Sequence, residues 1–180
     1  MRLEGVHHVT AITGDAQRNL DFYTRVMGLR LTAKTVNQDD PTVYHLFYAD
    51  EQGSPGSDIT FFEYPGARKG RAGAGMVHRV VWRVADEAAL DFWEHRLRDG
   101  EADTEREPGR LRFADPEGLG LELAVVETPD RPLISHHPDV PEEAALRGFD
   151  GVRAYTRDAP LSRGFLVDSL GFQTSDGEAY

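Results

Sequence analysis

The chain has 180 residues and a formal net charge of −11, enough for one good-sized domain or two small ones. Such acidity repels phosphate backbones, so nucleic acid is not an expected partner. No apolar run approaches the roughly 20 residues that span a bilayer, and the N-terminal segment lacks a signal-peptide core; no membrane partner and a cytoplasmic location are expected. With no cysteine, any metal would have to be held by His, Asp, Glu or backbone oxygen.

One pattern occurs three times along the chain: a short apolar segment, an acidic helix start, an amphipathic helix and a glycine that stops it. The first copy opens with Gly5-Val6-His7-His8-Val9-Thr10-Ala11-Ile12. Asp15 is placed to cap a helix carrying Ala16, Leu20, Tyr23 and Met27 at helical spacing, and Gly28 to end it in the left-handed conformation. Strand-like runs follow at 29–36, 42–48 and 58–63, with Gly53-Ser54-Pro55-Gly56 turning between the last two. The second copy opens with Met76-Val77-His78-Arg79-Val80-Val81-Trp82. Asp86 caps its helix, Ala89, Trp93 and Leu97 form the apolar stripe, and Gly100 stops it. A weak polar strand near 102–106 and clearer strands at 110–114 and 119–126 complete it. The third copy opens with Asp150-Gly151-Val152-Arg153-Ala154-Tyr155. Its helix bears Leu161, Phe165 and Ser169 and runs to Gly171, and Phe172-Gln173-Thr174 starts a strand.

The expected organisation is therefore a first βαβββ module at 1–66, a linker at 67–75, a second module at 76–127, a linker at 128–147, and the start of a truncated third module at 148–180. The fold class is α+β. Each unit exposes one apolar sheet face and needs a partner, so two units are expected side by side as one curved sheet, helices outside and a cleft within. A partial third unit predicts dimerisation (a homodimer), aggregation or disorder after about residue 147.

The βαβββ repeat with a first-strand histidine resembles the vicinal-oxygen-chelate superfamily, which includes glyoxalase I, bleomycin-resistance proteins and extradiol dioxygenases. The opening Gly5-Val6-His7-His8-Val9-Thr10 is similar to that of the hydroquinone-type ring-cleaving dioxygenases. So are the run Asp21-Phe22-Tyr23 leading to Met27-Gly28-Leu29-Arg30-Leu31, the strand Tyr44-His45-Leu46-Phe47-Tyr48, the turn Gly53-Ser54-Pro55-Gly56 and the segment Arg147-Gly148-Phe149. The resemblance implies Fe(II) or Mn(II) bound by two histidines and one glutamate, leaving positions open for a bidentate aromatic substrate and dioxygen. It implies four units, with one histidine from the first, matching His8, and the other two ligands from the fourth.

Several residues are candidates for such a site. Strand alternation puts His8 on one face with Val6, Thr10 and Ile12, and His7, Val9 and Ala11 on the other. The resemblance selects His8 as the metal ligand, with His7 and Thr10 as supporting groups behind it; a histidine merely hydrogen-bonded at a cleft edge is the plain alternative. In the second copy Arg79 takes the ligand place, and a guanidinium has no free lone pair for a metal. Glu122 occupies the last-strand position where the superfamily places its carboxylate ligand, Glu63 a similar place in the first copy, and Arg79 can pair with Glu122. A solvated or salt-bridged role is the alternative for both carboxylates. Tyr44 and His45 are candidates for substrate contact. The expected activity is that of the N-terminal part of a non-haem, metal-dependent ring-cleaving dioxygenase acting on a hydroquinone or catechol. A non-catalytic module that sequesters a small aromatic compound, and a glyoxalase-like lyase or isomerase, are the alternatives.

Overall fold

The computed structural model describes residue 3 and residues 5–174. The first unit comprises β1 (His8–Thr13), α1 (Ala16–Asp21) continued by a π-helical turn (Phe22–Val26), β2 (Arg30–Val36), β3 (Tyr44–Ala49) and β4 (Asp58–Glu63). The second comprises β5 (Val77–Val84), α2 (Glu87–Asp99), β6 (Glu105–Glu107), β7 (Arg110–Ala114) and β8 (Gly120–Val125). A third begins with β9 (Phe149–Ala154) and α3 (Ala159–Arg163), which again continues into a π-helical stretch (Gly164–Ser169). Residues 175–180, at the end of the expected third module, lie outside the described residues.

The helix starts form as their capping residues dictate. The Asp15, Asp86 and Asp158 side chains accept from the backbone N–H of Arg18, Ala89 and Leu161 at 3.0, 2.9 and 3.0 Å. Gly28, at φ 68, ends the first helix in the left-handed conformation. Gly100 ends α2 differently: its own φ is −85, and Glu101 takes the left-handed position at φ 61. Phe172, Gln173 and Thr174 form no strand, a departure from the alternation reading.

Two mixed sheets result, ordered β1-β4-β3-β2 and β6-β7-β8-β5-β9. In each complete unit the first and last strands run parallel, β1 with β4 and β5 with β8. β9 adds to the second sheet antiparallel to β5. The expected single curved sheet with an internal cleft is corrected by this arrangement. The two complete units share no strand pairing; they meet through their helix-side faces. Tyr23, Tyr48 and Phe61 of the first unit and Trp82, Trp93, Leu121 and Leu123 of the second are all at most 1% exposed and belong to one apolar cluster. Polar bonds fasten the same contact. Arg96 of α2 donates to the carbonyls of Val26 and Arg25 at 2.9 and 2.5 Å, and the Tyr23 hydroxyl donates to Asp115 at 3.1 Å. Each sheet therefore turns its other face away from the shared core. No described helix is long and apolar enough to cross a membrane.

Candidate functional site

The outward face of the first sheet holds the candidate metal ligand. Along β1, His8, Thr10 and Ile12 are exposed while Val9 and Ala11 are part-buried against the core. The register pairs His8 with Asp58 and Thr10 with Thr60 on β4, and pairs Phe62 of β4 with His45 of β3. By alternation these side chains share one face with Phe47. His45 packs against Phe62 and Phe47, with ring centroids 3.9 and 4.0 Å apart. Burial, and then the nearby His8 charge, hold its imidazole below the usual histidine range. Its Nε2 is buried without a hydrogen-bond partner among the described residues.

His7 precedes the strand, and its Nδ1 lies 3.1 Å from that of His8, so one ring donates to the other. It is a direct neighbour of His8, not a group on the opposite face. Thr10 accepts from the Thr60 hydroxyl at 3.0 Å. Sequence reading missed Asp58. Its Oδ1 is buried and has no hydrogen-bond partner among the described residues, and burial raises its carboxyl pKa against the opposing charges of His8 and His7. The signal was weak, since Asp58 reads as a turn residue after Gly56 and only the parallel β1–β4 register sets it beside His8. Tyr44, exposed beneath Lys34 Nζ at 4.1 Å, alternates with His45 and does not share its face.

The two carboxylates weighed as candidate partners of His8, Glu122 and Glu63, lie elsewhere. Glu63 Oε1 accepts from the Ala16 backbone N–H at 2.9 Å, so Glu63 serves the first turn of α1. Glu63→Ala is expected to cost about 1 kcal/mol in urea denaturation and to leave metal affinity unchanged. The register also shows that Glu63 is not the counterpart of Glu122. Thr10 faces Thr60 and Val81 faces Glu122 in the equivalent parallel pairings, which makes Thr60 the equivalent of Glu122.

Glu122 sits on the outward face of the second sheet, fully buried beneath four arginines. Arg153 donates twice, from Nη2 at 2.7 Å and Nε at 3.1 Å. Arg79 Nη1 and Arg112 Nε donate at 3.3 and 3.4 Å, and Arg110 Nη1 donates as well. The Arg79–Glu122 pairing is as expected. The metal role is not supported: both oxygens are engaged by guanidinium groups, and the carboxylate belongs to a different sheet from His8. Burial alone would raise its pKa, but the hydrogen bonds from Arg153 and Arg110 prevail and hold it down at about 2. A carboxylate whose folded pKa is depressed stabilises the fold above its unfolded value and loses that contribution as pH falls through the folded one. The Glu122 contribution should therefore be complete above pH 4.5 and fade towards pH 2. Acid titration followed by circular dichroism should show this loss in the native chain and not in Glu122→Gln.

Among the described residues, no three His, Asp or Glu side chains are grouped so as to hold a metal ion. Around His8 the donors present suit a divalent cation in kind, an imidazole and a carboxylate, but not in number.

The strand order, the repeated βαβββ unit and the first-strand histidine define a glyoxalase-like, vicinal-oxygen-chelate architecture. The family model described as "Glyoxalase/Bleomycin resistance protein/Dioxygenase superfamily" matches residues 5–134, and the chain belongs to that family. It is 40% identical over 178 residues to the Bacillus subtilis (strain 168) protein named "Putative ring-cleaving dioxygenase MhqA", covering 96% of this chain and 56% of that protein. It is 34% identical to the "Chlorohydroquinone/hydroquinone 1,2-dioxygenase" of Sphingobium indicum, covering 94% of this chain and 53% of that one. The crystal structure of a "putative dioxygenase from Bacillus subtilis subsp. subtilis str. 168" superposes with a TM-score of 0.87 at 37% identity, over 96% of this chain and 56% of that chain. The chain thus spans about half the length of the curated relatives it matches.

Proposed function

We propose that this chain is the N-terminal part of a non-haem, metal-dependent ring-cleaving dioxygenase of the extradiol type, acting on a hydroquinone or catechol with dioxygen in the cytoplasm. The observation that carries the reading is the setting of His8. It lies on β1, whose outer sheet edge has no strand partner among the described residues, whereas the equivalent edge of β5 holds β9. A strand added to β1 as β9 is added to β5 would bring further ligands alongside His8 and Asp58. The relatives' names supply the reaction class and the aromatic substrate. In this reading His8 is one ligand of Fe(II) or Mn(II), His7 and Thr10 fix its surroundings, and His45 with its phenylalanine neighbours forms an apolar wall for the ring. Tyr44 stands at the rim.

Anaerobic Fe(II) titration with metal analysis tests the reading, on this chain and on a protein extended to the relatives' length. The extended protein should bind one equivalent and consume dioxygen with hydroquinone; this chain alone should bind weakly. His8→Ala should abolish the first and reduce the second. Stoichiometric binding and turnover that survive His8→Ala would sink the proposal. The lack of a three-ligand group among the described residues favours a second reading, a module that sequesters an aromatic compound. Metal-independent binding of hydroquinone by the extended protein, without oxygen uptake, would select it.

A further inference from the structure

The arginine cage holds far more positive charge than one carboxylate uses. Arg79, Arg110, Arg112 and Arg153 surround Glu122, leaving a local excess of three positive charges, or two once the Arg112–Glu107 pair at 2.8 Å is counted. Asp150 adds a weaker negative influence on Arg153 from an exposed position. Four guanidinium groups carry about 20 N–H donors between them, and Glu122 takes five of these contacts. Arg79 Nε is buried and has no hydrogen-bond partner among the described residues. The outer edges of the cage remain open, since the side chains of Arg110 and Arg153 are 39% exposed.

A structural ion pair does not require this arrangement. One bidentate arginine satisfies a buried carboxylate, and each further guanidinium adds repulsion against the others. In a chain of net charge −11, four arginines from three strands, β5, β7 and β9, converge on the outward face of the second sheet. Beside them His78 stacks on Tyr155, with ring centroids 4.0 Å apart and planes at 14°. Burial, then the charges of Arg79 and Arg153, depress its imidazole pKa, consistent with a positive local potential. Glu122 engages all four guanidinium groups and so gathers them at one point of this face.

We propose that this face is a binding site for a small dianion, a phosphomonoester or a dicarboxylate, which bridges the free donors of Arg79, Arg110, Arg112 and Arg153 above Glu122. The site lies on the second sheet, away from His8, and does not depend on the metal reading.

Isothermal titration calorimetry of this chain with inorganic phosphate and with maleate, at ionic strength matched by chloride, tests the site. One saturable site is expected, and it should weaken about tenfold in Arg79→Met, the loss of ~1.4 kcal/mol. Arg79 suits the test because it makes one contact with Glu122, at 3.3 Å. Arg98→Met, at a surface arginine of α2 paired with Glu94, should leave binding unchanged. Binding of phosphate alone assigns a phosphoryl ligand, and binding of maleate alone assigns a dicarboxylate; either supports the proposal. Heats indistinguishable from chloride for both probes, or binding that Arg79→Met leaves intact, would overturn it. Should Arg79→Met fail to fold, the arginine Nε–H NMR signals of the native chain decide the matter. Shifts confined to the four cage arginines support the site, and shifts spread over surface arginines refute it.

Discussion

Glu122→Ala should be the most damaging single change on either outward face, lowering the unfolding free energy by about 3–5 kcal/mol, the range for removing one partner of a buried ion pair. The carboxylate is inaccessible to solvent and meets four guanidinium groups. Without it, four like charges face one another across a side-chain-sized void. At roughly 2–4 °C per kcal/mol for a chain of this size, the melting temperature should fall by about 10 °C. Glu122→Gln keeps the shape and one acceptor oxygen, and should fall between the native chain and the alanine variant. Urea denaturation monitored by the buried Trp82 and Trp93 gives both values. Metal affinity at His8 should not change in either variant. A loss under 1 kcal/mol in Glu122→Ala would mean that water already screens the cage. A loss of Fe(II) binding would return Glu122 to the ligand set.

The repeat was legible because its signals are local. Capping aspartates at 15 and 86 precede apolar stripes at helical spacing, and both helices begin there; the structure shows Asp158 capping the third in the same way. Strand alternation likewise set His8 and Thr10 on an exposed face and Val9 and Ala11 on the packed one. Pairing between distant segments was not legible. Asp58 becomes a neighbour of His8 only through the parallel β1–β4 register, and a one-residue slip would send it to the core. Glu63 and Glu122 look alike in sequence, as acidic residues near the end of a last strand. One is in phase with the core residues Ile59 and Phe61 and serves a helix start, and the other alternates with leucines that face the core and so points outward. Arg110 and Arg112 flank the buried Leu111 at period two. That spacing sets both on one face, but nothing local indicates that Arg153, from the next unit, completes the cage across β5. The packing of the two units through their helix sides was likewise hidden, because an apolar helix stripe does not say which sheet covers it.

That packing rests heavily on Tyr23. Its ring is wholly buried, stacks on Tyr48 at 5.3 Å and meets Phe61 at 4.7 Å, while its hydroxyl reaches 92 positions along the chain to Asp115. Tyr23→Ala should therefore cost about 3–5 kcal/mol through the cavity it leaves. Tyr23→Phe keeps the ring and removes only the bond between the units, so it should cost about 1–2 kcal/mol. The two variants also part company in alkali. Burial, and then the Asp115 charge, hold the Tyr23 phenol well above its ordinary value of 10.0. A raised folded pKa means that the stabilisation is complete below the unfolded value and is lost as pH rises beyond it. The native chain should thus lose stability progressively above pH 10 as its unfolded form releases that proton. Tyr23→Phe has no such proton to release and should show a shallower alkaline decline, with Tyr48, also raised by burial, supplying what remains. Urea midpoints measured from pH 8 to 11 compare the slopes. Equal slopes would show that the phenol ionises without opening the contact between the units, and that the apolar cluster alone holds them together.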